Sequence, residues 1–156
     1  IKSLRSILEF ICPLQHARCL KKQHKIIEEL FPEPFQKDHL YLKLMENSSS
    51  RDAFDKKRML KENLVVGCQS DLYLYEVYQD GILFFFTYTK ALVSSGIASL
   101  FTEVYSGETP STILTCKPIF FQRLTPYLSF GRLNGGESLY MRMKQIAVQY
   151  LKPPQT

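Results

Sequence analysis

The residue with the clearest capacity for chemistry is Cys68, held in the tetrapeptide Gly67-Cys68-Gln69-Ser70 just ahead of two strand-like segments. A thiolate can attack a carbonyl, ligate a metal or exchange with another sulfur. The three histidines, His16, His24 and His39, all stand on or beside the first predicted helices, far from Cys68 in sequence. A Cys–His pair of the kind that activates the thiol of a hydrolase or acyltransferase is therefore not expected. The remaining cysteines, Cys12, Cys19 and Cys116, are irregularly spaced and form no Cys-x-x-Cys pair. That spacing argues against structural zinc and, in a reducing compartment, against a disulfide framework. All three are expected as free thiols packed like small hydrophobes, and no metal site is predicted. What remains for Cys68 is sulfur-on-sulfur transfer, which asks for access, thiolate fraction and a good leaving thiol rather than a neighbouring base.

The elements around Cys68 must present it. The spacing predicts strands over 63–66, 72–78 and 82–88, the last two joined by Asp80-Gly81, a strong hairpin signal. Cys68 then lies on a tight connection whose sharp reversal Gly67 permits, at a loop tip carried by rigid flanking strands. Gln69 and Ser70 are candidates to orient that loop through side-chain-to-backbone hydrogen bonds. Upstream, Ile7, Phe10, Ile11 and Leu14, and then Leu20, His24, Ile27 and Phe31, predict two helices with a kink or break near Pro13 that close before Phe31-Pro32-Glu33-Pro34. The serine-rich, highly charged segment 43–61 reads as a mobile surface connection with a short helix around 53–60. Downstream, Thr89 precedes a helix bearing Val93, Ile97, Leu100, Phe101 and Val104. Thr109-Pro110 and Pro118 open two short helices. A last helix from about Gly136 turns Leu139, Met143, Ile146, Ala147 and Tyr150 inward. Helices, then strands, then helices predict an α+β fold with helices packed on a small antiparallel sheet of about three strands.

Composition narrows the function classes. The 156-residue chain, 45% hydrophobic and 22% charged, reads as one globular domain over 1–156. Its net charge of +5 is gathered at Lys21, Lys22, Lys25 and Lys56-Lys57-Arg58, with no interleaved aromatics or base-reading motif. This describes a solvated basic face and no nucleic-acid partner. No apolar run reaches the ~20 residues of a membrane span. The opening IKSLRSILEFIC is amphipathic and lacks a small-residue cleavage site, so the expected location is cytoplasmic.

Several motifs occur in a fixed order: GCQS, an aromatic-rich hairpin, GIASLFTEVYSGETPSTIL, FFQRLTPYLSFGRLNGG and a closing helix. In this order they resemble the SufE family, sulfur acceptors that work with a cysteine desulfurase in iron–sulfur cluster assembly. The resemblance covers 63–151, with further support from KIIEELFPEP. It implies a SufE/IscU-like fold and assigns Cys68 to take the sulfane sulfur of the desulfurase's cysteine persulfide. Cys68 would hold it as its own persulfide and pass it toward cluster assembly, stimulating the desulfurase. The resemblance also implies a SufS-type cysteine desulfurase as partner, an iron–sulfur scaffold complex as a candidate acceptor, and no cofactor beyond the transient persulfide on Cys68. The protein would be a sulfur-transfer accessory rather than a stand-alone enzyme. Gly135 and Arg132, in the step Arg132-x-x-Gly135, are implied as partner-binding; the alternative for Arg132 is a helix-flanking surface charge.

The family places its acceptor sulfur against an apolar hollow. Leu72, Leu74 and the hairpin aromatics are the nearest apolar side chains in sequence to Cys68. Three departures from the family pattern stand out. Tyr88-Thr89-Lys90 replaces a Ser-Asp step, Phe130-Gly131 and Gly135-Gly136 replace Pro-Ser and Gly-Leu, and the segment before GCQS is longer. Two other functions compete with the relay. An iron–sulfur scaffold would need about three cysteines and a carboxylate or histidine converging on one end. A module that binds a desulfurase without relaying sulfur would tolerate loss of Cys68.

Overall fold

The computed structural model describes the backbone of residues 4–47 and 49–151 and the side chains of 16–47 and 51–151. Helix α1, Leu4–Leu30, is a single helix that runs through Pro13, where two helices with a kink or break were expected. A proline removes one rung of the ladder, and strong helix formers on both sides carry the helix past it. The side chain of Cys12 lies outside the described residues. The inner face of α1 carries buried Gln23, Ile26 and Leu30, while His24, expected to be partly buried, is exposed.

The segment 43–61 is not the loose connection its composition suggests. Helix α2, Lys37–Glu46, buries Leu40 and Leu44, and α3, Ser49–Ala53, follows. Two single 3-10 turns, Lys56–Arg58 and Lys61–Asn63, then lead to the sheet, the first capped by the Asp55 carboxylate. Phe54 anchors the stretch, with its ring 5.0 Å from Tyr75 and 5.7 Å from Tyr88. One buried aromatic among charges leaves no periodic signal, yet burying it is worth about 2 kcal/mol.

Strands β1, Tyr73–Gln79, and β2, Ile82–Tyr88, pair antiparallel with Tyr75 opposite Phe86. Asp80 and Gly81 both have positive φ, 54° and 80°, as the two-residue hairpin turn requires. Leu83, Phe85 and Thr87 face inward and alternate with more exposed neighbours. The sheet has two strands rather than about three. The expected strand 63–66 is reduced to a bridge between Leu64 and Tyr73 and one hydrogen bond, from Val65 N to Leu72 O at 2.8 Å. The chain turns away at Gly67, φ 101°, before a ladder can grow.

Helix α4, Leu92–Tyr105, is buried along most of its length and forms the centre of the molecule, packed on β2, α1, α2 and α7. Gly96 lets α2 cross it closely, because a methyl group there would lie 2.9 Å from Leu44 Cα. Helices α5, Pro110–Thr115, and α6, Ile119–Leu124, begin where Thr109-Pro110 and Pro118 predict, with Thr109 Oγ1 accepting from Thr112 N at 3.3 Å. Helix α7, Phe130–Gln149, buries the expected Leu139, Met143, Ile146 and Ala147, with Tyr150 half-buried at its end. It starts at Phe130, well before Gly136, capped by Ser129. Its early glycines depress helix propensity, and at Gly136 the buried Phe121 ring leaves no room for a side chain. Most of the buried hydrophobic side chains form one contiguous cluster, with Phe54 and Tyr75 outside it, and the fold is α+β. Among the described residues no helix is long and apolar enough to cross a membrane.

Cys19 and Cys116 are not free thiols. They are joined as a disulfide across 97 positions, fully buried where α1 passes the α5–α6 junction. Irregular spacing carries no trace of a pairing that only the packing of α1 creates. Gln23 completes the junction, donating to Lys117 O at 2.9 Å and accepting from Phe120 N at 3.1 Å.

Candidate functional site

Cys68 sits near the tip of the loop between the Leu64 bridge and β1, and it is the free cysteine among the described residues. The loop's base is fixed by the Val65–Leu72 hydrogen bond, and its tip lies across the first turns of α7. Two glycines lie beneath it. Gly131 and Gly135 stand four residues apart, on one face of the helix. A methyl on Gly131 would be 2.8 Å from Gln69 Nε2, and one on Gly135 would be 3.7 Å from Cys68 Sγ. Gly136 faces the other way, against the ring of buried Phe121. The Cys68 thiol points at the Gly135 carbonyl, with Sγ 3.7 Å from the oxygen.

Beside the sulfur opens a cleft of about 420 Å³. Leu72, Val93, Ile97, Ala98 and Leu139 form its apolar wall, and Ser70, Thr89, Ser94 and Ser129 add hydroxyls. Arg132 is the one charged side chain in the lining, so no carboxylate opposes an anionic sulfur there. Burial pushes the Cys68 thiol above its ordinary range, because desolvation disfavours the thiolate. The sulfur is half-buried against apolar groups, so it is sheltered without being sealed.

The structure gathers the sequence-predicted residues Cys68, Gln69, Ser70, Arg132 and Gly135 around this cleft. Gly67 lies just outside the lining, in the left-handed conformation that turns the loop. Arg132 is held as well as charged: its guanidinium lies 5.8 Å from the centroid of the Tyr41 ring, and the Tyr41 hydroxyl donates to the Tyr127 carbonyl. Thr89, where the family pattern has its Ser-Asp step, is buried at the cleft, whereas Lys90 is exposed.

The lining differs from the sequence expectation. Leu72 contributes, but Leu74 is buried in the core and the hairpin aromatics lie elsewhere. The wall comes instead from α4 and α7, elements distant in sequence. Sequence reasoning also missed Asn134, whose Nδ2 donates to Gly67 O at 2.8 Å, and Ser138, against which Gly67 packs. The Gly131-x-x-x-Gly135 spacing would have revealed this face had the helix been extended back to Ser129.

A family model described as "SufE: Fe-S metabolism associated domain" matches residues 25–147. A protein of Plasmodium falciparum (isolate 3D7) named "Cysteine desulfuration protein SufE" is 24% identical over 140 residues, which is 85% of this chain. The chain spans 55% of the length of that relative. A protein of the same name from Wigglesworthia glossinidia brevipalpis is 29% identical over 111 residues, covering 69% of this chain and 77% of the relative. Among solved structures, the solution structure of a hypothetical protein from Thermus thermophilus aligns with TM-score 0.67 at 20% identity. The alignment covers 83% of this chain and 96% of that one, a likeness in fold.

Proposed function

This chain belongs to the SufE family, and on that premise we propose that Cys68 accepts sulfur from a cysteine desulfurase and relays it toward iron–sulfur cluster assembly. The observation that carries this reading is a free thiol near a loop tip, beside a cleft with one apolar wall that opens to the surface. In the transfer, the Cys68 thiolate attacks the terminal sulfur of the donor's persulfide. The donor S–S bond breaks, the donor cysteine leaves as a thiolate, and Cys68 holds the sulfur as its own persulfide. The acceptor repeats the step on Cys68, which returns to a thiolate. No cofactor takes part beyond this transient persulfide.

The surroundings of Cys68 suit that cycle. The apolar wall shelters a persulfide from small thiols, and Arg132 supplies a positive charge at the mouth without an acid to oppose it. Arg132 and Gly135, both at the cleft, are assigned in this reading to contact the desulfurase. We assign the chain to the role of a sulfur-transfer accessory of a SufS-type desulfurase, with an iron–sulfur scaffold complex as the onward acceptor. A cytoplasmic location is compatible with the Cys19–Cys116 disulfide, because its two cysteines are 0% and 2% exposed and exchange needs in-line access for an attacking thiolate.

A scaffold function has less support. Among the described residues no group of three or more His, Cys, Asp or Glu side chains converges, and two of the four cysteines are bonded to each other. The relay is tested by adding the protein to a cognate desulfurase and following consumption of free cysteine. Wild-type protein is expected to stimulate turnover and Cys68→Ser to abolish the stimulation while still binding the desulfurase. Stimulation that survived the substitution would favour a binding module without relay.

A further inference from the structure

We propose that Asn134 is the latch of the Cys68 loop, the positioning residue that sets how often the thiol is presented to a sulfur donor. The loop is built to move as a flap. Its two ends are pinned to each other by the Val65–Leu72 hydrogen bond and the Leu64–Tyr73 bridge, so a displacement is confined to the tip at 66–71. The tip meets α7 at three neighbouring points. Asn134 Nδ2 donates to Gly67 O at 2.8 Å, Cys68 Sγ rests 3.7 Å from Gly135 O, and Gln69 lies along Gly131. Only the first of these is a hydrogen bond of full strength by distance.

The latch adjoins the sulfur on both strands of the contact. Asn134 precedes Gly135, whose carbonyl faces the thiol, and Gly67 precedes Cys68. Lifting the sulfur away from α7 therefore pulls directly on the Asn134 bond. The conformation of Gly67 serves the same contact: with φ at 101° it presents its carbonyl to Asn134 while packing against Ser138, one turn further along α7. A side chain at that position would be both strained and crowded. Asn134 itself is exposed, so water can take over its bond when the loop opens, and a single mutation there leaves the core untouched. A latch of this kind holds the loop closed by a modest margin that a docking partner can override.

This inference rests on the relay reading for its purpose but not for its test, which needs no desulfurase. Full-length wild type, Asn134→Ala and Asn134→Gln are labelled with iodoacetamide under native conditions, and the rate at Cys68 is followed by peptide mass spectrometry. Loss of one net hydrogen bond predicts labelling about fivefold faster in Asn134→Ala, with Tm lowered by no more than about 2–4 °C. Asn134→Gln, which keeps an amide donor, is expected to restore the slow rate. If Asn134→Ala failed to fold, Asn134→Leu would carry the same test, since it keeps the approximate shape and removes the donor without adding a charge beside the thiol. Wild-type rates in the donor-less variants, or equally fast labelling in Asn134→Gln, would overturn the latch. Failure of the relay would look different: wild type would acquire no sulfur from a desulfurase, whatever its labelling rate.

Discussion

Replacing Gly96 by alanine puts a methyl group where α2 crosses α4. The new Cβ would stand 2.5 Å from the carbonyl carbon and 2.9 Å from the Cα of Leu44, and closer still to its carbonyl oxygen. These are backbone atoms of a helix, so no side chain can swing aside. Restoring a contact of about 3.5 Å requires the helices to part by more than about 1 Å. That movement loosens Leu40 and Leu44, which are 1% and 0% exposed. Overpacking of this kind costs up to about 3 kcal/mol, offset by about 1 kcal/mol from the better helix propensity of alanine. The net loss of about 2 kcal/mol lowers the Tm of a chain this size by about 4–8 °C. The site feels the change too, because Tyr41 on α2 supports Arg132. Thermal unfolding followed by circular dichroism measures the shift. Gly131→Ala is the control: its methyl meets the end of the Gln69 side chain, which can move, so Tm should hold or rise. A Gly96→Ala protein as stable as wild type would refute the close crossing of α2 on α4.

Three other predictions follow from the cysteines. Burial raises the Cys68 pKa, so the fold favours the protonated thiol. Native alkylation should therefore speed up with pH through a midpoint above that of an ordinary thiol, and the midpoint should fall in urea. By the same linkage, the stability contributed by this shift is fully present below the ordinary thiol pKa and is lost as pH rises through the raised one. A native midpoint at or below the ordinary value would contradict the sheltered site. For the Cys19–Cys116 pair, alkylation of unreduced, denatured protein should leave both sulfurs unlabelled, and changing both to serine should lower stability by about 2–4 kcal/mol. Labelling before reduction would show the bond to be absent. Elemental analysis of the purified protein should find no stoichiometric metal; one zinc or iron per chain, lost on Cys68→Ser, would favour a scaffold.

Much of the candidate site was legible because its residues are close in sequence. GCQS and the Asp80-Gly81 turn are contiguous signals, and they point to Cys68 as the candidate and to the hairpin that follows it. The cleft wall was not legible, since Val93, Ile97 and Leu139 meet Cys68 only through the packing of α4 and α7. Helix α2 was missed because Leu40 and Leu44 are a short apolar repeat in a polar stretch, and the third strand shrinks to a bridge because the short apolar run Leu64-Val65-Val66 fits either a strand or a single bridge. Gly131, Gly135 and Gly136 misled in a more instructive way. As poor helix formers they pushed the predicted start of α7 past the turns that cradle the thiol. The Cys68 loop lies over 131 and 135, where a methyl would meet the end of the Gln69 side chain and, at 3.7 Å, Cys68 Sγ.

If Cys68 itself carries the sulfur, the modification is visible by mass. Intact-protein mass spectrometry after incubation with a cysteine desulfurase and free cysteine, without reductant, tests this most directly. The expected result is a gain equal to one sulfur atom in wild type, mapped to the peptide bearing Cys68 and absent from Cys68→Ser. The same gain on Cys68→Ser, or none on wild type beside an active desulfurase, would contradict it.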